Sequence, residues 1–207
     1  GRWTAIEAQH LGVAVPAIEA AVCARNLSAR WDDRQTGGDI FGAFPDPIQS
    51  CMPLQIKDLE KALIAGKILC YTQGFAMLSE ASKQFDWSLP ISDIAKVWRD
   101  GCIIRSDMLN EMADALSGSD TPLMIFAEPF ATIVKESEAA LRKTVGCATA
   151  AGIPVPALSA ALNWFDMIRT KRTSANIIQA QRDFFGAHGF ERLDGVADPH
   201  GPWGKSA

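Results

Sequence analysis

The chain has 207 residues, of which 48% are hydrophobic and 21% are charged, and its formal net charge at pH 7 is −4. This is the composition of a folded globular domain, and its lysines and arginines are scattered rather than clustered. The charge pattern argues against a nucleic-acid-binding face and against binding to an acidic membrane surface. Any anion would have to be bound by individually placed arginines.

The cysteines and histidines form no pattern that is typical of a metal site. The five cysteines are widely spaced and lack a CxxC pair, and only three histidines occur, His10, His188 and His200. We predict no metal site, and we predict buried thiols in a reducing cytoplasm. The first residues lack a signal-peptide pattern and Lys67 interrupts the longest apolar run, so we expect neither export nor a membrane span.

The opening residues predict a helical hairpin. A first helix is expected from about Thr4 to Gly12, and a second helix begins at Pro16, because proline is favoured in the first turn of a helix. Trp3 is a large apolar side chain with no preceding segment to cover it, so we expect the chain to be the later part of a longer protein. Residues 31–53 are rich in glycine, proline and turn formers and predict a long surface loop.

The hairpin has a second copy further along the chain. GVAVPAIEAAV at 12–22 matches GIPVPALSAAL at 152–162, with the glycine and the proline that begins the next helix in the same places. A duplicated helical unit explains the match, because a shared hairpin needs the same helix end and the same proline start. The two copies diverge afterwards, and Arg25 in the first corresponds to Phe165 in the second.

The segment from Leu54 to Phe85 predicts one long central helix. It contains no proline, and its apolar residues recur at multiples of three to four positions. Gly66 and Gly74 would allow neighbouring helices to approach closely. Tyr71 is expected to make a buried hydrogen bond, as is Gln73, two residues further on.

The following segments predict more helices. A short helix is expected through Trp98 up to Gly101, and the residues after it are expected to continue as a helix through Leu116. Three further helices are expected at 122–134, 135–151 and 156–170. No stretch alternates polar and apolar residues with period two, so the sequence predicts an all-α, multi-helix domain.

SANIIQAQRDFF, which begins at Ser174, predicts one more helix. Ser174 is a suitable N-cap residue, and Gly186 supplies the left-handed residue that ends many helices. Ile178, Arg182 and Phe185 lie on one face of this helix, which places the guanidinium between two apolar side chains.

Arg182 and His188 predict an anion-binding site. A guanidinium fork suits a phosphate or a carboxylate, and an imidazole adds a donor or a proton near neutral pH. The residues alone also permit a structural role, in which Arg182 pairs with a carboxylate inside the fold and His188 only ends the helix.

Arg25 is a third candidate for binding an anion. It follows Val22 by one helical turn and Ile18 by two, so it is expected on the apolar face of its helix, pointing away from solvent. The spacing allows either ligand binding or a side chain that reaches solvent or pairs with a carboxylate. Cys102, beside Arg105, is interpreted as a packed structural thiol rather than as a reactive one.

Four segments of the chain together resemble one known family. They are GRWTAIEAQHLGVAVPAIEAAVCARNLS at 1–28, CYTQGFAMLSEASKQF at 70–85, VWRDGCIIRSDML at 97–109 and QAQRDFFGAH at 179–188. In this order they resemble the C-terminal helical domain of decarboxylating 6-phosphogluconate dehydrogenase, over nearly the whole chain. The resemblance implies an all-helical domain at 1–193, an extended tail at 194–207, and an N-terminal nucleotide-binding domain that is absent from this chain.

The resemblance also implies roles for the three candidate residues. Arg25 matches an arginine that contacts the phosphate of the sugar acid in this family. Arg182 and His188 match a pair that the family inserts into the active site of the partner subunit, where the arginine contacts the phosphate and the histidine a substrate oxygen. The resemblance therefore implies a homodimer that binds 6-phosphogluconate through Arg25, Arg182 and His188.

The tail, from Glu191 onward, is rich in glycine, proline and aspartate and predicts no regular element. Family members end in a tail that threads through the other subunit, often with a histidine and a tryptophan three residues apart. His200 and Trp203 have that spacing, although Gly201 and Pro202 replace the usual polar pair. The sequence leaves open whether this tail is ordered.

The chemistry of oxidation is not expected in this chain. It contains no glycine-rich turn of the kind that binds dinucleotides. In the family, the catalytic lysine and glutamate and a phosphate-binding lysine and threonine belong to upstream segments, and Arg2 stands where a lysine is common. The resemblance thus implies no catalytic residue here, no NADP bound by this chain alone, and cofactor-binding residues that stay unassigned.

The resemblance implies that the complete enzyme is cytoplasmic and converts 6-phosphogluconate and NADP to ribulose 5-phosphate, CO2 and NADPH in the pentose phosphate pathway. The chain alone is expected to be inactive. The alternative is a non-catalytic helical module that binds a sugar phosphate or assembles. A related β-hydroxyacid dehydrogenase is a third interpretation, against which QRDFFGAH argues.

Overall fold

The computed structural model describes residues 1–42, 53–118 and 123–204. Within these ranges the regular structure is helical and no β-strand occurs, which confirms the predicted all-α fold. Two short 3-10 helices lie at Met124–Phe126 and Pro202–Gly204. The α-helices are α1 Arg2–Leu11, α2 Pro16–Ser28, α3 Trp31–Phe41, α4 Ile56–Gln84, α5 Ile91–Gly101, α6 Met108–Leu116, α7 Phe130–Ala150, α8 Pro156–Arg169 and α9 Ala175–Gly186.

The chain forms two compact units, Gly1–Phe165 and Asp166–Ala207. The first unit holds the large core, and the second contains α9 and the tail. The predicted boundary between the helical domain and the tail, at 193/194, lies inside the second unit. The division of the chain at this boundary stays a prediction.

α4 is the central helix of the first unit and packs against α7. The predicted long helix is thus confirmed, and its Ile68 and Leu69 are fully buried. The expected hydrogen bonds also form, because the Tyr71 hydroxyl donates to the Ile104 carbonyl, and the Ala17 N–H donates to Gln73 Oε1 over 3.0 Å. These bonds tie the middle of α4 to α2 and to the segment after α5.

The two glycines of α4 differ in their surroundings. A Cβ atom added at Gly66 would lie 2.4 Å from Leu158 Cδ2, so α8 approaches α4 closely at this point, as predicted. A Cβ atom added at Gly74 would meet no heavy atom of the described residues within 4 Å. The expected close approach is therefore found at Gly66 and is wrong for Gly74.

By length and composition alone, α4 could cross a membrane. However, 50% of its most apolar stretch is buried inside the protein, and Phe75 is among its fully buried side chains. This burial is typical of the core helix of a folded domain. The predicted absence of a membrane span stays a prediction.

The duplicated hairpin is visible in the backbone. Gly12 after α1 and Gly152 after α7 are both left-handed, with φ of 67° and 69°. The next residue in each copy donates to the equivalent carbonyl, from Val13 to Ala8 over 2.9 Å and from Ile153 to Ala148 over 2.8 Å. The repeat therefore encodes one connection used twice, since glycine adopts this conformation without steric cost.

The loop predicted at 31–53 is wrong for its first part, because Trp31–Phe41 forms α3. Asp32 and Asp33 lie in its first turn, where negative charge stabilises a helix. Arg34 lies over the Trp31 ring, 5.1 Å from its centroid. These local contacts offset the helix-weakening glycines of this segment. The prediction for residues 43–52 lies outside the described residues.

Two other helix predictions are corrected. The helix expected directly after Gly101 begins only at Met108, because the chain between them turns and its Ile104 carbonyl is bonded by Tyr71 instead of by a helical N–H. The helices predicted at 122–134 and 135–151 are replaced by the first 3-10 helix and by the single helix α7. No proline interrupts α7, so nothing in the sequence ends a helix at the predicted break.

The cysteines are less uniform than predicted. Cys23 is an exposed free thiol, and Cys70 and Cys102 are half-buried free thiols. Burial raises the pKa of the Cys70 thiol. Cys147 is disulfide-bonded, so the prediction of buried thiols is wrong for Cys23 and for Cys147.

Candidate functional site

α9 ends differently from the prediction. The left-handed residue is Ala187, with φ of 50°, rather than Gly186. A Cβ atom added at Gly186 would lie 2.9 Å from His188 Nε2, so this glycine makes room for the imidazole beside the helix end. At the start, Ser174 makes no side-chain cap, and the Ala175 N–H donates to Thr173 Oγ1 over 3.2 Å.

Arg182 lies on an exposed face of α9. Its flanking apolar side chains Ile178 and Phe185 are 58% and 82% exposed. Its Nη1 donates to Gln179 Oε1 over 3.1 Å, and no carboxylate of the described residues forms an ion pair with it. The structural interpretation, with Arg182 paired to a carboxylate inside the fold, is therefore wrong within the part of the chain that the structure describes.

The backbone N–H and C=O of Gly189 both connect the His188 turn to α9. The Gly189 N–H donates to Asp183 Oδ1, and Gln179 Nε2 donates to the Gly189 carbonyl, each over 2.7 Å. Gly189 has φ of 72°, which favours glycine. Gln179 thus links Arg182 to the turn that contains His188.

Asp183 accepts the hydrogen bonds that connect α9 to the tail in the second unit, and the sequence did not predict this role. Its side chain is buried although the residues on either side are exposed. Besides Gly189, Oδ1 contacts His200 Nδ1 at 2.6 Å, and Oδ2 accepts from the Gly201 N–H and from Trp203 Nε1, both over 2.9 Å. An acidic residue next to Arg182 has the pattern of a solvated charge, and its partners come from distant parts of the sequence.

The charges of Asp183 and His200 are both favoured in the folded unit. Burial acts to raise the pKa of the Asp183 carboxyl, but its hydrogen bonds, led by the one from the Gly201 N–H, outweigh burial and hold the pKa well below its ordinary value of 3.8. The hydrogen bond to Asp183 raises the pKa of His200 above its ordinary value of 6.5, with a smaller contribution from Asp198. A charged imidazolium–carboxylate pair therefore helps to hold the tail on α9.

We expect the tail to become less firmly held as the pH rises. The stabilisation from His200 is complete below its ordinary pKa of 6.5 and is lost as the pH rises through its higher pKa in the folded state. The stabilisation from Asp183 is present above its ordinary pKa of 3.8 and is lost only as the pH falls through its lowered pKa. The contact weakens rather than breaks, because a neutral imidazole with a hydrogen on Nδ1 still donates.

Hydrogen exchange at the Gly201 amide, corrected for the intrinsic effect of pH, measures this weakening. Protection should fall as the pH rises through the raised pKa of His200. In a His200→Gln variant, protection should no longer depend on pH over that range. An unchanged pH dependence in the variant would contradict the assignment.

The rest of the tail packs on the end of α9. The Trp203 ring makes aromatic contacts with Phe184 and Phe190, with ring centroids 6.2 Å apart in both cases. The Phe190 N–H donates to the Pro199 carbonyl over 2.8 Å. A Cβ atom added at Gly201 would lie 2.2 Å from the Trp203 ring, which explains the glycine at this position.

The described part of the tail, up to Gly204, therefore packs on α9. Its 3-10 helix Pro202–Gly204 contradicts the prediction that the tail contains no regular element. Trp203 anchors this part of the tail on α9 through its ring and its indole N–H.

Arg25 belongs to the first unit, whereas Arg182 and His188 belong to the second. Arg25 is exposed, and α2 buries only Ala17. The apolar face that periodicity predicted is half-buried at Ile18 and Val22, so the expectation that Arg25 points away from solvent is wrong. Its backbone carbonyl accepts from Ser28 Oγ over 2.7 Å.

The described residues contain neither the strand of a common dinucleotide site nor a cluster of three metal-ligating side chains. A dinucleotide site of the common type needs a glycine-rich turn between a strand and a helix, and residues 1–42, 53–118 and 123–204 contain no strand. In the same ranges no group of three histidine, cysteine, aspartate or glutamate side chains could hold a metal ion. The exposed guanidinium of Arg182 on α9 has the geometry and charge that suit an anionic group.

The structure defines an all-helical domain whose helix α9 carries the exposed guanidinium of Arg182. The family model described as the C-terminal domain of 6-phosphogluconate dehydrogenase matches residues 1–203. The chain belongs to the 6-phosphogluconate dehydrogenase family.

Three curated relatives agree with this assignment. The chain is 39% identical over 204 residues to a decarboxylating 6-phosphogluconate dehydrogenase of Lactococcus lactis, covering 98% of this chain and 43% of the relative. It is 41% identical over 208 residues to decarboxylating 6-phosphogluconate dehydrogenase 2 of Saccharomyces cerevisiae, covering 99% and 42%. It is 38% identical over 207 residues to the NADP(+)-dependent, decarboxylating enzyme of Bacillus subtilis, covering 99% and 44%.

A solved structure has the same fold. Plasmodium falciparum 6-phosphogluconate dehydrogenase matches with a TM-score of 0.86 and 34% identity, covering 98% of this chain and 44% of that one. That enzyme has been described in its apo form, with its cofactor NADP+ and with its substrate 6-phosphogluconate. The chain thus spans less than half the length of these relatives.

Proposed function

We propose that this chain is the substrate-binding and dimer-forming C-terminal portion of a cytoplasmic, NADP-dependent, decarboxylating 6-phosphogluconate dehydrogenase. The complete enzyme converts 6-phosphogluconate and NADP to ribulose 5-phosphate, CO2 and NADPH. The observation that carries this proposal is the state of Arg182, an exposed guanidinium without a carboxylate partner among the described residues, between two exposed apolar side chains.

The apolar side chains around Arg182 support a second copy of the chain as the partner. Ile178 and Phe185 leave most of their surface exposed, and such surface is stabilised when another protein surface covers it. Covering this face also removes water from the guanidinium, which strengthens its attraction for a phosphate. Arg182 and His188 then act in the active site of the partner subunit.

The three candidate residues divide the recognition of 6-phosphogluconate. Arg182 and Arg25 contact the phosphate through charge-assisted hydrogen bonds, and Arg25 does so in its own subunit. His188, an exposed imidazole that lies beside Gly186, donates to a substrate oxygen. Gln179 and Gly189 link Arg182 to the His188 turn, which supports a joint role for this pair.

Oxidation and decarboxylation require groups that lie outside this chain. NADP supplies hydride acceptance when it is bound, and the absence of a strand in the described residues favours an upstream domain as its binding site. The chain alone is proposed to bind no NADP and to contribute no catalytic residue. Its contribution is the substrate phosphate site and the homodimer.

A crystal structure of the complete enzyme with 6-phosphogluconate tests this proposal. We expect the substrate phosphate to contact Arg25 of one subunit and Arg182 of the other, with His188 at a substrate oxygen. A phosphate bound without Arg182 would contradict the proposal. Sugar phosphate binding without any associated dinucleotide domain in the native protein would instead support the alternative of a non-catalytic module.

A further inference from the structure

We propose that Gln179 and Asp183 are positioning residues that hold Arg182 and His188 in a fixed relative arrangement. This inference rests on the proposed role of that pair in substrate binding. Both positioning residues act through the backbone of one residue, Gly189, which directly follows the histidine. We call Gln179, Asp183 and the backbone N–H and C=O of Gly189 the Gly189 clamp.

Gln179 connects the arginine to the turn that carries the histidine. Its Oε1 accepts from Arg182 Nη1 over 3.1 Å while its Nε2 donates to the Gly189 carbonyl over 2.7 Å. Only a side-chain amide of this length both accepts and donates in this way, because a carboxylate lacks the donor and a thioether lacks both strong groups. Gln179 thus restrains the guanidinium and the turn at the same time.

Asp183 holds the backbone N–H of the same residue, Gly189. Its Oδ1 accepts from the Gly189 N–H over 2.7 Å, and the side chain is only 3% exposed, so this acceptor is shielded from water. The tail supplies further donors to Asp183, from His200, from the Gly201 N–H and from Trp203. The tail therefore secures the carboxylate that secures the His188 turn.

This arrangement reduces the conformational entropy that is lost when the substrate binds. A free arginine loses many side-chain conformations when it binds a ligand, and a free turn loses more. The Gly189 clamp restricts the arginine side chain and the turn before the ligand arrives. Gln179 bonds only Nη1 of Arg182, so the other N–H groups of the guanidinium stay available to the ligand. Removing the clamp should therefore weaken binding without removing any group that contacts the substrate.

Gln179→Met in the complete enzyme is the direct test. Because one hydrogen bond from the charged guanidinium and one hydrogen bond between neutral groups are lost, we expect the KM for 6-phosphogluconate to rise roughly three- to tenfold. The kcat, the KM for NADP, the melting temperature and the dimer content should stay close to those of the unchanged enzyme. Gln181→Met is the matched control, because Gln181 is an exposed residue of the same helix with no assigned contact, and it should leave all these values unchanged.

Asp183→Asn provides a second arm. It replaces an acceptor of four hydrogen bonds with an amide whose NH2 group opposes two of the donors. We expect a larger rise in the KM for 6-phosphogluconate than with Gln179→Met, and Glu191→Gln, which removes the same charge from an exposed position, should have no such effect. If Asp183→Asn does not assemble, Gln179→Met decides the question alone.

The outcomes separate this inference from the function on which it rests. If Arg182→Ala raises the KM for 6-phosphogluconate but Gln179→Met does not, the clamp is overturned and the proposed function stands. If Arg182→Ala also leaves the KM unchanged, the proposed function fails. A fall in kcat and dimer content with an unchanged KM in Gln179→Met would show a purely structural role and would overturn the clamp.

Discussion

Replacing Arg182 with alanine in the complete enzyme should weaken binding of 6-phosphogluconate roughly 10- to 150-fold, since one charge-assisted hydrogen bond contributes about 1.5–3 kcal/mol and about 1.4 kcal/mol corresponds to a factor of ten. The dimer should remain intact, because the apolar side chains beside Arg182 stay in place. Isothermal titration with 6-phosphogluconate measures the binding, and sedimentation measures the dimer.

Two further variants control for charge and shape in this experiment. Lys171→Ala removes one positive charge from an exposed position just before α9 and should leave binding nearly unchanged. Arg182→Lys keeps the charge but loses the planar fork, and it should fall between the alanine variant and the unchanged enzyme. Equal losses of substrate binding and dimer stability in Arg182→Ala would instead support a structural arginine.

The 207-residue chain on its own should show no turnover of 6-phosphogluconate with NADP. The physical reason is that the described residues provide helices and a proposed anion site but no strand–turn–helix unit for a dinucleotide. Without a bound hydride acceptor the first chemical step has no place to occur. The absorbance of NADPH, followed at high concentrations of the pure chain, measures the rate.

The complete enzyme, prepared in the same way, is the positive control for that assay. Direct titration of the chain with NADP should also give no binding heat above that of dilution. Measurable turnover by the pure chain would contradict the proposed division of the chemistry between this domain and an upstream one.

The helical architecture could be predicted from the sequence because its signals are local. The proline and glycine that define the hairpin recur in both copies, and the uninterrupted periodicity of α4 fixes a long helix. α3 was missed because Gly37 and Gly38 resemble loop residues, whereas acidic first-turn residues and a tryptophan–arginine contact favour the helix. The turn-forming composition of this segment does not show that these contacts outweigh the cost of two glycines in a helix.

The candidate site was predictable only in part. Arg182 and His188 stood out because charged groups beside apolar residues need a partner, and the family resemblance suggested a phosphate. Asp183 and Gln179 gave no such signal, because their partners Gly189 and the tail become neighbours only when the chain folds back on α9. Long-range contacts of this kind are not encoded in a local pattern.

For Arg25 the sequence pattern predicted a burial that the structure does not show. Helical periodicity placed it on the apolar face of α2, but periodicity does not say whether another element covers that face. In the structure α2 buries only Ala17, and Arg25 stays exposed. The second copy of the hairpin has Phe165 at the position of Arg25. An exposed arginine at this position is consistent with binding a ligand that is not part of the chain.

The most direct test of the central claim uses mixed dimers of the complete enzyme, with Arg25→Ala in one subunit and Arg182→Ala in the other. If each active site takes Arg25 from one subunit and Arg182 from its partner, one site carries both substitutions and the other carries neither. Two differently tagged subunits, purified together, should then recover about half of the unchanged activity, with the unchanged KM for 6-phosphogluconate. If both arginines of one subunit serve the same site, every site keeps one substitution, and the absence of any recovery would contradict the account.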